Sequence, residues 1–594
     1  NARYFYRKRV DGNSTMNNSL NKDYYLTTIV SGTLSLLMKH KNVKFIEYVS
    51  LYHLYWMIIT VLDNRANHIL TKQEKEIFIK QLKENFKYIS NDVIMNFYGI
   101  GGAWFFHQIG IINCFKDTTP YIHFAYVEKV DYINEEIQFR VFCKNTDDVI
   151  YIKEKNNLKN IRTKEYKFFN KTFIIEKWFW ISLENFKDIE IYINNDRCKI
   201  NFNGKKSNIL SYNDIYTEQE KYFKNLNIES NIWFFIDRDT KADDNAEHFY
   251  RYVQSHHHEQ RIYFALSKTS CDWDRLKKDG FNLIDFNSLY CKFIYSKASI
   301  IISSHIDPYI SNMLGKNSLK YKKFVFLQHG VTQNNISNWL NSKQIDLFTT
   351  STIPEFNYIS NTEFKFSNKE VKLTGFARYD NLIKLSKELE KEKIILLTPT
   401  WRKYIMGDVK TSATGLRNYN PKFKNSLYFK AYNDFLNSKE LEKLCNNFNY
   451  EIYFIPHFNI IPYIDDFNIP NFVKIIKLEN INYQELICKA SVMVTDYSSI
   501  AFDFAYLNKP VIYYQFDKEE FFNNHIGTEG YFKYEYDGFG EVVNNKEELF
   551  NSIEKLLKNN CLIEEKYQKR INNTFTIRDG KNCERIYKEI INNL

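Results

Sequence analysis

The stretch Ala490–Tyr514, ASVMVTDYSSIAFDFAYLNKPVIYY, decides the fold class. Val492-Met493-Val494 is an unbroken apolar run, the pattern of a strand covered on both faces. Asp496-Tyr497-Ser498-Ser499 interrupts it with turn and cap residues, and an apolar-rich helix is predicted from Ile500. Val511–Tyr514 follows as a second strand. Strand, polar turn, helix, strand is the order of a parallel sheet, whose ligands lie at the carboxyl ends of its strands. The hydroxyls and N–H groups of such a turn suit a phosphate. Simple capping by Ser498 or Ser499 is compatible with that role, because first-turn N–H groups stay unpaired.

The same order extends in both directions. Asn231–Ile236, Arg261–Leu266, Ile300–Ser303 and Phe324–Leu327 read as one series of strands. Val371, Ile394–Leu397, Glu451–Ile455, Phe472–Ile475 and the two strands above read as a second series, closed by a helix over Lys546–Lys558. Two such halves imply a cleft between them. Residues 110–210 have short Val/Ile/Tyr/Phe segments between Asn/Asp/Lys turns, which predicts a small sandwich. The first ninety residues are helical in pattern, with Lys72–Phe86 amphipathic. The expected divisions are a helical segment (1–92), a β-rich accessory domain (93–225) and two α/β halves (226–370 and 371–594).

Composition narrows the function classes. With 44% hydrophobic and 26% charged residues in 594, the chain is neither a disordered tail nor a channel. Lys+Arg 81 against Asp+Glu 71 gives +10, compatible with an anionic ligand or an anionic membrane surface. The nine cysteines show no CxxC, so the reading is a reducing cytosol with no thiolate metal site. No apolar run of 18 residues predicts a membrane span. The chain starts without Met, which suggests a cut within a longer protein.

Several polar residues follow strand ends. Thr400 and Arg402 stand in Thr398-Pro399-Thr400-Trp401-Arg402, where an arginine can bind an anion bidentately. His457, after Ile455-Pro456, can donate to a diphosphate oxygen or be a satisfied core imidazole. His329-Gly330 follows Phe324–Gln328, a position from which a histidine can serve as general base. His305 and Asp237 follow other strands of that half and are acceptor-side candidates; for Asp237 a local ion pair is the equal alternative. Arg378 lies near the join of the halves. Ser255–Glu259 carries three adjacent histidines, but adjacent residues rarely converge on one metal.

HG at 329–330, TPTWR at 398–402, PH at 456–457 and TDYSSIAFDFAYLNKPVIYY at 495–514 together resemble the CDP-glycerol:poly(glycerophosphate) glycerophosphotransferase family. Gly375 with Arg378 and Asp380, and Asp517, Glu519 and Glu520 before Gly530-Tyr531-Phe532, extend the resemblance over about 230–580. It implies a GT-B-like pair of Rossmann-type domains that transfers a polyol phosphate from CDP-glycerol or CDP-ribitol to a teichoic-acid-like or capsular polymer, releasing CMP. His329 is implied as base and His457 as diphosphate stabiliser. Arg402, Ser498 and Ser499 are implied on the donor side; Arg378, Thr400 and Asp496 join them as donor-side candidates, and Asp237, His305 and Gly330 stand as acceptor-side candidates. No metal or other cofactor is implied. The implied acceptor is a polymer or lipid-linked chain, which places the protein peripherally on the inner face of the membrane. Two departures touch substrate identity: QHGVTQN at 328–334 replaces the family's WHGTPLK, and Ala377 replaces a proline before Arg378.

Residues Tyr6–Thr15 resemble the tail of family-2 glycosyltransferases, which implies the remnant of an upstream GT-A transferase. Two rival functions remain at this level. One is a GT-B glycosyltransferase using a CMP- or UDP-sugar. The other is a non-enzymatic polymer- or nucleic-acid-binding protein, disfavoured because the positive charge is spread and no RRM, KH or zinc pattern occurs.

Overall fold

The computed structural model describes residues 22–594 apart from 64–68, 99–104, 117, 119–122, 132–134, 154–157, 184–187, 227–230, 408–416, 477–481 and 526–527. Tyr6–Thr15 therefore lies outside the described residues, as do 412–416 of the Asn/Lys/Tyr-rich stretch 412–429, whose sequence suits either a basic aromatic loop at the cleft or a plain surface loop. The chain divides into two compact units, Asn1–Lys221 and Tyr222–Leu594.

In the first unit the helices Ile29–Lys39, Lys44–Leu62 and Lys72–Lys87 are followed by shorter ones up to Lys116. Lys72–Lys87 starts at a capping box in which Thr71 and Glu74 satisfy each other's backbone N–H. The helices share one apolar core with Phe142, Phe168, Phe173 and Ile174 of the sheet. Gly110 lies so close to Phe173 that a Cβ would sit 2.0 Å from its ring. The division expected at 92/93 is thus absent, because neither the helices nor that sheet face could bury its apolar side alone. While Asp188–Ile189 and Leu210–Ser211 pair separately, eight of the strands form one sheet rather than the two sheets of a sandwich. Its order is Ile150–Ile152, Ile191–Ile193, Asp196–Phe202, His123–Asp131, Glu136–Cys143, Lys171–Ser182, Lys159–Phe168, with Lys205–Ser207 beside Asp196–Phe202. The other face closes over Phe139, Phe179 and Ile200. Lys44–Leu62, at 19 residues and mean hydropathy 1.4, is long and apolar enough to cross a membrane, contrary to expectation. Nine of its residues are buried in the core of this unit.

The second unit contains two wholly parallel sheets. The first has the order Leu283–Asp285, Arg261–Leu266, Ile232–Ile236, Ile300–Ser303, Lys323–Phe326, Leu347–Thr350, Val371–Leu373. The second has the order Val473–Ile475, Glu451–Phe454, Ile394–Thr398, Val492–Thr495, Val511–Tyr514, Gly540–Val543. In each, the chain starts in the middle, moves to one edge and returns to build the other, which opens a crevice at the reversal point. Val371–Leu373 pairs with Leu347–Thr350 and so ends the first sheet instead of opening the second. The division at 370/371 moves accordingly.

The helix Arg378–Glu388 leads from the first sheet into the second. The last helix, Asn582–Asn593, returns: Cys583, Ile586 and Ile590 pack with Trp233 and Phe249 of the first half. Asp380 accepts the N–H groups of Asn582 and Cys583 at 2.9 and 2.8 Å. Gly375 meets that crossing at φ +79°, where a Cβ would lie 2.2 Å from Asn582 Oδ1. Only glycine fits both the backbone and the space.

Candidate active site

The loop after Lys323–Phe326 carries His329. Gln328 adopts a left-handed backbone, φ +59°, uncommon for a residue with a side chain. Its side chain holds that geometry: Nε2 donates to Thr349 O at 2.7 Å and to Glu355 Oε1 at 3.0 Å, and Oε1 accepts from Thr332 Oγ1 at 2.6 Å. Asn245 Nδ2 secures its carbonyl at 2.8 Å. Glu355 also accepts Thr332 N at 2.7 Å and Ser351 N at 2.8 Å. This buried clamp turns His329 outward, with its side chain 63% exposed.

Behind His329 lies Asp244, whose Oδ2 contacts Nδ1 of the imidazole. Burial pushes the Asp244 carboxyl up, but His329, His305 and Arg378 together hold it well below the usual range. It is therefore an acceptor, His329 carries its proton on Nδ1, and Nε2 is left as a base facing outward.

Arg378 is buried. It grips Asp503 through Nε at 3.0 Å and Nη2 at 2.8–2.9 Å. Its Nη1 reaches Asp244 Oδ1 at 3.3 Å and the carbonyl of His329 at 2.9 Å. The sequence placed it on the donor; the structure places it under His329, where it fixes both members of the Asp–His pair.

Arg402 is corrected in the same way. Its side chain is wholly buried, bonded to Asp517 at 2.7 and 3.0 Å, paired with Asp496 at 2.9 Å and donating to Thr400 O at 2.6 Å. Tyr428, Tyr497 and Phe521 enclose the guanidinium at 4.8–5.1 Å. Two carboxylates already balance its charge, so it buttresses the loop rather than meeting an anion. Asp496, also fully buried, accepts Thr400 N at 2.9 Å and Tyr432 Oη at 3.0 Å. Asp517 belongs to this cluster. Asp237 is buried too. It accepts from Ala246 N at 2.9 Å, Glu247 N at 3.0 Å and Ser304 Oγ at 2.5 Å, so it anchors the start of the helix Asn245–His256 instead of touching an acceptor.

His457 and His525 flank Trp401, at 5.8 and 5.2 Å between ring centroids. Burial, reinforced by Arg238 and His329, brings the His457 imidazole down to about 3. Its Nδ1 accepts from Asn459 N at 3.2 Å, which leaves Nε2–H as a neutral donor. His525 is likewise pushed to about 3, by burial and then by Arg402, and its Nδ1 accepts from Lys403 N at 3.2 Å. The side-chain hydroxyls of Thr398 and Thr400 are buried without a hydrogen-bond partner.

Sequence reasoning missed Asp244 and His525, and it noted Arg238 and Arg417 only within wider segments, Asp237-Arg238-Asp239 at a strand end and the basic aromatic run 412–429. Arg238 donates through Nε to His305 Nε2 at 3.2 Å and lies over Phe458 of the other half at 5.7 Å. Among the described residues it makes no ion pair with a carboxylate. Arg417 lies 5.0 Å over Trp401 with its Nε unpartnered. Only Arg238 had a local signal, its place directly after a strand between two aspartates.

Ser499 lies against the histidine loop: a Cβ on Gly330 would come 2.6 Å from its Oγ. Gln333 Nε2 donates to Tyr497 O at 2.5 Å, and Asn335 bridges to Thr528. The two halves thus meet where HG and DYSS touch. Ser498 Oγ accepts weakly from Ile500 N at 3.5 Å. His305, pushed to about 4 by burial, stacks 5.0 Å from His329. Ligand atoms of Asp244, His305 and His329 lie within 4.8 Å of one another, near enough to share a cation. Two cations stand beside that position, Arg378 on Asp244 Oδ1 and Arg238 on His305 Nε2. Of the three adjacent histidines, His257 stacks on Tyr587 at 3.5 Å.

The sequence profile of the CDP-Glycerol:Poly(glycerophosphate) glycerophosphotransferase family matches residues 220–592, essentially the second unit. The minor teichoic acid biosynthesis protein GgaB of Bacillus subtilis (strain 168) is 29% identical over 699 aligned positions, which cover 99% of this chain and 76% of GgaB. A teichoic acid glycerol-phosphate transferase of Staphylococcus aureus is 27% identical over 240 positions, 38% of this chain and 55% of that protein. The structure of the wall teichoic acid polymerase TagF superposes with a TM-score of 0.45 and 18% identity, over 65% of this chain and all of that one. With its profile match spanning more than half of the sequence, the chain belongs to the CDP-glycerol:poly(glycerophosphate) glycerophosphotransferase family.

Proposed function

We propose that the second unit is a GT-B-like pair of Rossmann-type halves that transfers glycerol phosphate or ribitol phosphate from a CDP-activated donor to a hydroxyl of a growing teichoic-acid-like polymer. The observation that carries this reading is the exposed His329, oriented by buried Asp244, on the half facing neutral His457. In this reading an acceptor hydroxyl approaches the donor's β-phosphorus. His329 Nε2 takes its proton while the new O–P bond forms and the bond to CMP breaks. The His457 Nε2–H and the Arg238 guanidinium stabilise charge on the diphosphate. The product is a phosphodiester. The setting is the cytosolic face of a membrane that carries the acceptor.

The test is incubation with CDP-glycerol and, separately, CDP-ribitol, each with an oligomeric acceptor, reading CMP release and product mass. A folded His329→Ala protein should release CMP at least about a thousandfold more slowly. Wild-type turnover of a CMP- or UDP-sugar in place of either donor would refute the reading.

A further inference from the structure

Three donor atoms converge beneath the exposed imidazole: a carboxylate oxygen of Asp244 and one ring nitrogen each of His305 and His329, all within 4.8 Å of one another. Three elements bring them together. Asp244 caps the helix Asn245–His256, His305 follows Ile300–Ser303, and His329 follows Lys323–Phe326. Each stands in the protonation state that a metal ion requires. Burial opposes the charge on Asp244, but His329, His305 and Arg378 outweigh it and keep the carboxylate ionised. Burial keeps His305 neutral, with its imidazole brought down to about 4. Its Nε2 accepts from Arg238 Nε at 3.2 Å, so the lone pair is on Nε2 and the proton on Nδ1. The exposed side of His329 opens the cluster to solvent.

The spacing fits a small ion. Asp244 Oδ2 lies 3.6 Å from His305 Nε2. A tetrahedral ion with bonds of about 2.1 Å sets its ligands about 3.4 Å apart. Arg378 holds Oδ1 of Asp244 and leaves Oδ2 to the cluster. Arg238 is the competitor at His305. Its side chain is half-buried and makes no ion pair with a carboxylate among the described residues, so nothing ties it there beyond that one bond. Two imidazoles and one carboxylate form a nitrogen-rich set that suits Zn2+ rather than the oxygen-seeking Mg2+ or Ca2+. Occupation has a direct consequence for the base. A metal on Nδ1 of His329 displaces the proton held there, and Nε2 takes up one from water. The ring stays neutral, but its outward nitrogen no longer offers a lone pair.

We propose that Asp244, His305 and His329 form an inhibitory Zn2+ site that silences the base by fixing its wrong tautomer. The inhibition rests on the transfer reaction proposed above, whereas the binding site does not.

The test titrates the full chain with Co2+, whose visible bands report its ligands, and then displaces it with Zn2+. Wild-type protein should develop bands that Zn2+ abolishes and Mg2+ does not. His305→Ala, the bulkier His305→Gln and Asp244→Asn should each weaken binding by at least about tenfold, with folding checked by the thermal midpoint. Arg238→Gln should tighten it, because a cation leaves the neighbourhood of a ligand atom. In the donor assay, Zn2+ at about ten times its Kd should slow CMP release about tenfold, and a chelator should restore it. Wild-type protein without bands, or bands unchanged in both folded His305 variants, would overturn the proposal. So would bands lost in H256A/H258A, because the metal would then sit on the adjacent histidines. Zn2+ that binds here and leaves CMP release unchanged would refute the inhibition. Wild-type protein that releases CMP from neither donor would sink the transfer reading, while the Co2+ titration would still decide the site.

Discussion

Asp244 Oδ2 contacts Nδ1 of His329, while Arg378 holds the other oxygen of Asp244 and the His329 carbonyl. One buried cation thus positions both the carboxylate and the backbone of the base. Asp244→Asn removes the ionised acceptor and lets the imidazole take the wrong tautomer. We expect kcat for CMP release to fall on the order of a thousandfold, with donor KM changed less than about threefold. The D244N/H329A double variant should be no slower than H329A. Near-normal kcat in folded D244N would remove Asp244 from the mechanism.

Arg238 faces the donor in the reading above, while Arg378 and Arg402 are neutralised internally. Arg238→Gln should raise the Kd of CDP-glycerol by about 10- to 100-fold, the worth of one hydrogen bond to a charged group. Titration calorimetry reads this directly. Arg238 also depresses His457, so that imidazole should titrate at higher pH in the variant. Unchanged affinity would show that another group holds the diphosphate.

Arg402 should behave as a structural residue. Removing it leaves Asp496 and Asp517 buried without their cation. Arg402→Ala should destabilise the second unit by about 3–5 kcal/mol, and Arg402→Lys, lacking the planar fork, should rescue little. Denaturant melts would read this. A variant of normal stability with only donor binding lost would return Arg402 to the donor list.

Gly330 and Ser499 form the seam between the halves. Gly330→Ala puts a methyl 2.6 Å from Ser499 Oγ and 3.3 Å from its Cβ. The halves must part locally, at a cost of about 1–3 kcal/mol, and turnover should fall. Ser499→Gly in the same chain opens that space and should restore most of the stability. Equal melts for G330A and G330A/S499G would show that the contact is slack.

Glu355 couples the clamp under His329 to pH. Burial raises its pKa to about 7 against N–H donors that lower it. An acid whose folded pKa exceeds its unfolded one stabilises at low pH, and that stability is lost as pH rises from about 4.5 through 7. Glu355→Gln should abolish this loss. The stability of the variant relative to wild type should therefore rise across that window, by at most about 3 kcal/mol. Parallel curves would mean that Glu355 does not titrate there.

The strands from Asn231 onward were legible because apolar runs punctuated by turns report a parallel sheet directly. So were His329 and His457, each just beyond a strand end. Val371 was misplaced, since a strand's spelling does not say which sheet it joins. The break at 92/93 was misplaced because a helix face and a sheet face become one core only when folded. The largest difference concerns charge. Sequence shows that Arg378, Arg402 and Asp237 are ionisable and close to strand ends. Whether such a charge is free for a ligand depends on partners 100 or more positions away, such as Asp503 for Arg378 and Asp517 for Arg402. By itself the sequence determined the alternation of elements and the family motifs. Tertiary structure alone decided which cations are already neutralised and which, like Arg238, still face the cleft, because pairing energy depends on distance in space and on burial, neither of which the order of residues contains.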